Sequence, residues 1–226
     1  MQPCAAPPFA ADAPRADDTR WRAHDLLRVT RLSQASDAPD WVAEAMTHAP
    51  WVVVRRAQAA AGFLAVGVRG FTRAQRFGTW IDSQDVEAIL RPEQLLDREP
   101  LSARATLPAW IALATLRETP GSPLRDFMWG PTGSAGFELA TGAATVGAAS
   151  DLDVLIRAPH RLDRLTVEAL SRALEQAASR ANTRVDAQLE TPAGGVALAE
   201  LAAAKPRVLV RANRGAQLLA DPWRPS

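Results

Sequence analysis

Asp151 and Asp153 stand one residue apart at the head of an apolar run, Val154-Leu155-Ile156, and a third carboxylate, Asp186, falls within a later alternating segment. In an extended strand, side chains two apart share a face, so the first two carboxylates would crowd one spot. Like charges held that close repel unless a proton or a cation lies between them. A hard divalent ion such as Mg²⁺ suits the pair, because it takes oxygen ligands and keeps waters and substrate phosphates in its shell. A carboxylate from a neighbouring strand would complete a site for two metal ions, about 3.5–4 Å apart, that clamps the attacking and leaving oxygens of an in-line phosphoryl displacement. Upstream, Gly133-Ser134 adds a glycine that lets backbone approach a phosphate closely, together with hydroxyl and N–H donors. Ser150, beside the acidic pair, is a candidate for lining the same pocket.

Each of these residues also has a purely structural reading. Asp151 and Asp153 could be a solvated strand end or a loop cap. Asp186 could be the exposed alternate of a half-buried strand, with Gln188 and Glu190 as polar neighbours on the same face. Gly133 and Ser134 could belong to a tight turn alone. Arg69, Arg73 and Arg76 form a cationic cluster after a strand. Guanidinium geometry suits phosphate or an acidic protein partner, and a solvated charged face is the competing explanation. The seven tryptophans are scattered beside apolar positions and read as core or interface anchors.

The elements that would carry these groups follow from periodicity. Trp51-Val52-Val53-Val54-Arg55-Arg56 and Phe63 to Gly70 are β-branched runs that read as a hairpin, with a short helix ahead of them opening at Pro39-Asp40-Trp41 near a cap at Asp37 or Ala38. Residues 82–97 are expected to form one or two short helices interrupted at Pro92, and 108–118 another helix before the Pro120-Gly121-Ser122-Pro123 break. In the second half, 137–141 is a short strand candidate and 151–157 a stronger one. An amphipathic helix follows through Leu162, Leu165, Ala169, Ala173, Leu174 and Ala177, then a strand over 184–190, a short helix over 196–204 and a last strand over 207–211. Strand alternating with helix implies an α/β (α+β) fold with a mixed sheet.

Bulk properties narrow the function. Twenty-six Lys and Arg against 25 Asp and Glu leave a net charge of +1, so there is no global electrostatic case for nucleic acid or membrane binding. One cysteine, Cys4, and three scattered histidines offer neither an internal disulfide nor zinc spacing. The first twenty residues lack a basic start with a continuous apolar segment, and no run approaches transmembrane length. A cytoplasmic protein is the expectation. Walker, dinucleotide-binding and nucleophile-elbow motifs are absent.

Gly-Ser, an Asp-x-Asp strand and a later strand carboxylate resemble the palm of the nucleotidyltransferase superfamily related to DNA polymerase β, although residues 136–147 lengthen the usual gap between the first two elements. A second resemblance spans nearly the whole ordered chain. Arg22-Ala23-His24-Asp25-Leu26-Leu27, Ala49-Pro50-Trp51-Val52-Val53-Val54, Trp129-Gly130-Pro131-Thr132-Gly133-Ser134, Ser150-Asp151-Leu152-Asp153, Arg184-Val185-Asp186-Ala187-Gln188-Leu189-Glu190 and Asp221-Pro222-Trp223 look like the malonate decarboxylase holo-acyl-carrier-protein synthase, also called phosphoribosyl-dephospho-coenzyme A transferase.

That resemblance implies transfer of 2′-(5″-phosphoribosyl)-3′-dephospho-CoA from its triphosphate precursor to a serine of the apo acyl carrier protein of malonate decarboxylase, with loss of pyrophosphate. It implies Mg²⁺ held by Asp151, Asp153 and Asp186, and phosphate contacts from Gly133, Ser134, Ser150, Arg69 and Arg73. His24 lies in a family-like segment, where a structural role competes with a chemical one. The domain reading is a flexible tail over 1–18, an N-terminal hairpin-and-helix domain over 19–100 and a nucleotidyltransferase-like domain over 101–226. Three alternatives stay open: a different acceptor, a non-catalytic carrier-binding palm, and the carrier of the citrate lyase system, which uses the same prosthetic group.

Overall fold

The computed structural model describes residues 20–32 and 38–224; the 1–18 tail with Cys4, and the Asp37 cap, lie outside them. The chain divides into two compact units, residues 1–91 and 92–226, a division that falls ahead of the 100/101 boundary read from the sequence.

In the first unit, strands β1 (Leu26–Val29), β2 (Trp51–Val54), β3 (Phe63–Arg69), β4 (Arg76–Asp82) and β5 (Val86–Leu90) form one antiparallel sheet in the order β4-β3-β2-β1-β5. Helix α1 (Trp41–His48) buries Val42 and Ala45 in a core with Leu27, Val52, Val66, Val68, Phe77 and Ile81. The β2–β3 hairpin is as expected, with Val52 opposite Val68 and Val54 opposite Val66. β5 corrects the helical reading of 82–97 over Val86–Leu90, and short 3₁₀ helices stand on either side of it at Ser83–Asp85 and Pro92–Asp97. An edge strand that is half exposed shows no clean alternation, which hid it. β4, which has no counterpart in the sequence reading, alternates buried Phe77, Thr79 and Ile81 with the less buried Arg76, Gly78, Trp80 and Asp82, a clean strand period.

The second unit is built on a six-stranded sheet in the order β11-β10-β9-β8-β7-β6. Its strands are β6 (Trp129–Pro131), β7 (Leu152–Arg157), β8 (Val185–Thr191), β9 (Gly194–Ala197), β10 (Val208–Ala212) and β11 (Gly215–Leu219). β7 and β8 are parallel, joined through helix α4 (Arg164–Ala181), and every other pair is antiparallel. α4 opens on Asp163, whose side chain accepts from the Thr166 N–H, and ends on Asn182 in the left-handed conformation. Helix α2 (Pro108–Glu118), with Pro108 in its first turn, packs against α4 and β7. Leu152, Val154 and Ile156 point to one face of β7 and are sealed from solvent.

Three expectations fail here. Residues 137–141 are not a strand but the end of helix α3 (Gly133–Thr141), which is buried from Ala135 to Ala140 and capped by left-handed Gly142. A helix buried almost all round carries no apolar stripe, so its period is unreadable. Residues 196–197 close β9, and the helix α5 covers only Leu198–Ala202. β10 is followed by one further strand, β11. The terminal Asp221-Pro222-Trp223 clasps the sheet: the Trp223 indole N–H donates to the Ala158 carbonyl at 3.0 Å, and Pro222 accepts from the Ala193 N–H. No helix among the described residues is long and apolar enough to cross a membrane.

Candidate active site

The parallel register of β7 and β8 sets the site. Asp153 lies directly beside Asp186, and Leu152 beside Val185. One step earlier, the Leu152 N–H donates to the Arg184 carbonyl, which brings Asp151 alongside Arg184. Because alternate residues share a face, Asp151 and Asp153 on one strand and Arg184 and Asp186 on the next form a two-by-two patch. It sits at the amino ends of the two strands. Asp153, Arg184 and Asp186 are exposed, and Asp151 is partly so.

Arg184 ties the patch together. Its Nη2 donates to Asp151 Oδ2, and its Nε lies 2.9 Å from Asp186 Oδ2. The neighbouring carboxylates, Asp186 most and Asp151 next, raise the guanidinium pKa above its ordinary value and keep the group charged. Sequence reasoning gave Arg184 no role. The signal was present, since it stands two residues before Asp186 and shares its face.

Helix α3 brings Gly133 and Ser134 to the same place. The Thr132 N–H donates to the Asp153 carbonyl at 2.8 Å, pinning the start of α3 to β7. Gly133 has φ +58°, and a Cβ there would lie 2.2 Å from Asp153 Oδ2. The position therefore takes glycine both for its backbone and for the carboxylate against it. Gly133 and Ser134 open a helix rather than a free turn, so their N–H groups lie in its first turn, the end of a helix dipole that favours anions.

The segment after α3 is held by a buried acid. Glu138, 4% exposed, accepts from Arg104 Nε at 2.7 Å and Nη2 at 3.1 Å, and from the Thr145 and Val146 N–H groups at 2.7 Å each. The Arg104 pKa is raised, chiefly by that hydrogen bond to Glu138. Thr145 Oγ1 then donates to the Ser134 carbonyl at 2.8 Å, folding the segment back onto the start of α3. Ser150 is used locally: its Oγ accepts from the Gly147 N–H at 2.9 Å, and its carbonyl accepts from Thr183 Oγ1. Glu138 and Arg104 carried no sequence signal, being 34 residues apart and placed on a helix and a loop turn.

Asp151, Asp153, Asp186, Gly133, Ser134 and Ser150 thus all lie in the second unit around one strand end. Arg69 and Arg73 belong to the first unit. Arg69 is 8% exposed on β3, while Arg73 is exposed in the β3–β4 turn. His24, also in the first unit, has a left-handed backbone, with its Nε2 3.0 Å from Arg56 Nη1.

The donor set around Asp153 consists of carboxylate oxygens, the chemistry that a hard divalent cation takes. In the arrangement described, Arg184 stands between Asp151 and Asp186, and no three acidic, His or Cys residues among those described are gathered tightly enough to enclose a metal ion. The oxygen donors are of the type Mg²⁺ takes, but in this arrangement they are paired with the Arg184 guanidinium and do not enclose a metal ion.

Comparison with known proteins follows the same two units. The N-terminal domain model of phosphoribosyl-dephospho-CoA transferase MdcG matches residues 22–92, and its C-terminal domain model matches residues 94–222. A phosphoribosyl-dephospho-CoA transferase of Pseudomonas aeruginosa is 45% identical over 204 residues, covering 89% of this chain and 93% of its own. Proteins of the same name from Pseudomonas putida and Azotobacter vinelandii are 43% and 44% identical, covering 88% and 89% of this chain and 94% and 93% of theirs. No solved structure matches the chain at a significant level.

Proposed function

The chain belongs to the phosphoribosyl-dephospho-CoA transferase MdcG family, and from that premise we propose that it moves a phosphoribosyl-dephospho-CoA group from a 5″-triphosphate donor to a serine of an apo acyl carrier protein, that of malonate decarboxylase. The observation that carries the reading is the parallel register placing Asp186 beside Asp153, with Asp151 on the same face and the start of α3 against them.

In the transfer, the carrier serine Oγ forms a bond to the α-phosphorus as the bond to the bridging oxygen breaks. Pyrophosphate leaves with the electron pair, and Asp186 would take the serine proton. Asp151 and Asp153 would hold Mg²⁺, with Asp186 as a further ligand. When bound there, the ion supplies positive charge where phosphate charge develops. The N–H groups of Gly133 and Ser134 orient the triphosphate at the helix start. Ser150 is proposed to line the same pocket. Arg69 and Arg73 are proposed phosphate or carrier contacts; of the two, Arg73 presents its side chain to solvent.

The test is intact mass spectrometry of the apo carrier after incubation with this protein, Mg²⁺ and the triphosphate donor. The expected result is a mass gain equal to the phosphoribosyl-dephospho-CoA group, lost with Asp153→Asn and requiring more carrier for half-maximal rate with Arg73→Glu. No gain with verified substrates would refute the assignment.

A further inference from the structure

The sheet face that carries Asp153 and Asp186 continues across the far strands of the second unit. Residues paired in register share a face, and the pairing runs from Glu190, on the face of Asp186, to Gly195, then Arg211, then Ala216. Two residues along β10 from Arg211, Leu209 stands opposite Leu218. The reverse face is filled: Val196, Val208 and Val210 are buried there, with Leu201 of α5 packed against them. On the acid-bearing face Leu218 is 61% exposed and Leu209 partly buried. An antiparallel hairpin ordinarily turns polar side chains to water, and an edge strand is ordinarily guarded by charge. β11 is the edge strand of this sheet, and Gly215-Ala216-Gln217-Leu218-Leu219 carries no charge.

Cations surround the apolar pair instead. Lys205 and Arg207 come just ahead of β10, Arg211 is on it and Arg214 is in the turn to β11, all four exposed. Elsewhere in this unit Arg104, Arg117, Arg164 and Arg184 rest on carboxylates. None of the four cations around Leu209 and Leu218 is ion-paired among the described residues.

We propose that this face of β10–β11 docks an acidic protein surface with an apolar contact at its centre, that of the apo carrier. The inference rests on a carrier protein being the acceptor of the proposed transfer. Leu209 and Leu218 supply the apolar contact, and the cations around them meet acidic groups at its rim. The same charges disfavour a second copy of this chain here, because a two-fold contact sets the cations of one copy against those of the other. Distance fits as well. Leu218 is three strands across from Asp186 and two residues along, about 16 Å for roughly 4.8 Å per strand and 3.3 Å per residue. A small domain about 30 Å across, seated on Leu218, extends over Asp186 and can present a serine there.

Calorimetry of the full-length protein with apo carrier and no donor reads docking apart from transfer, and mass spectrometry at varied carrier and donor reads the kinetics. Arg207→Glu/Arg211→Glu should weaken carrier binding about tenfold or more and raise the carrier KM alike, with kcat and the donor KM unchanged. Leu218→Ser should weaken binding about tenfold. Raising the salt from about 0.1 M to about 1 M, which shortens the screening length from about 10 Å to about 3 Å, should weaken binding by the unaltered protein and not by the double variant. Arg125→Glu/Arg172→Glu makes the same change in net charge in the 3₁₀ turn Pro123–Asp126 and on α4, and should bind as the unaltered protein does.

Unchanged carrier binding by the patch variants overturns the docking and leaves the transfer standing. Equal weakening by Arg125→Glu/Arg172→Glu reduces the effect to net charge and overturns it too. A raised donor KM with carrier binding intact assigns the cations to the donor phosphates instead, and a dimer in sedimentation that Leu218→Ser dissociates assigns the face to a second copy. Absence of carrier binding, or binding indifferent to salt, by the unaltered protein overturns the docking with no variant needed. If the carrier binds at this face but gains no mass from verified donor, the proposed transfer falls and the docking stands.

Discussion

Gly133→Ala separates the role of α3's start as a carboxylate rest from its role as a turn. Two costs follow from its geometry. At φ +58° an alanine pays the left-handed penalty of about 1–2 kcal/mol. Its Cβ would also stand 2.2 Å from Asp153 Oδ2, where real contacts essentially never fall below 3.0 Å, so the carboxylate must retreat by about 0.8 Å. Asp153 is exposed and can make that retreat by rotating its side chain, which limits the stability cost to the backbone penalty. The chemical cost is larger, because a misplacement of about 1 Å at a reacting centre is worth roughly 10²-fold in rate. Gly121→Ala is the control: φ is +67° there and nothing lies within 4 Å of the new Cβ, so it carries the backbone penalty alone. Urea unfolding should show both variants destabilised by about 1–2 kcal/mol. Carrier modification followed by mass spectrometry should fall about a hundredfold for Gly133→Ala and stay near normal for Gly121→Ala. Equal rates for the two variants would refute the placement of Asp153 against α3.

Two further perturbations probe the frame. Glu138→Ala leaves the Arg104 guanidinium and the Thr145 and Val146 N–H groups without their buried acceptor, and should cost about 3–5 kcal/mol in urea unfolding; a loss below about 1 kcal/mol would show that the segment after α3 is held by other contacts. The Asp163 carboxyl is held below its ordinary pKa, first by the hydrogen bond from the Thr166 N–H. A carboxylate lowered in the folded state stabilises above its unfolded pKa and loses that contribution as the pH falls through the folded value. Asp163→Asn should therefore trail the unaltered protein at neutral pH, with the gap closing in acid below the usual carboxylate range. A gap that does not change with pH would rule out the charge of this cap as its source.

The long, strongly periodic elements were legible in the sequence. The α2 bounds and the β7–α4–β8 unit emerged from spacing alone, because amphipathic α4 and the half-buried strands around it keep one face apolar. Elements buried all round or exposed at an edge were not legible. α3 looks like a short strand because Ala135 to Ala140 are all inside, and β5 looks helical because neither of its faces is cleanly buried. The acids of the site were readable because a two-residue spacing has one meaning in a strand. Arg184 shared that spacing but had no evident partner until strand order was known. The Arg104–Glu138 pair depends wholly on tertiary approach and could not be read from local pattern.

Why the acids meet at all is a matter of strand direction. A strand returning antiparallel through a tight turn would pair the end of β8 with the head of β7, setting Glu190 or Thr191 rather than Asp186 beside Asp153. The crossover through α4 instead starts both strands from the same edge, so the heads of β7 and β8, each carrying its polar residues before the apolar run, come into line. Insertions in the turns around α4 would be absorbed without disturbing that line. A one-residue slip of β8 would not, since it turns both Arg184 and Asp186 to the opposite face. Buried Leu189, three positions along the same strand and opposite Ile156, resists that slip by anchoring the apolar face. The register that brings the charges together is thus enforced by the core on the other side of the sheet.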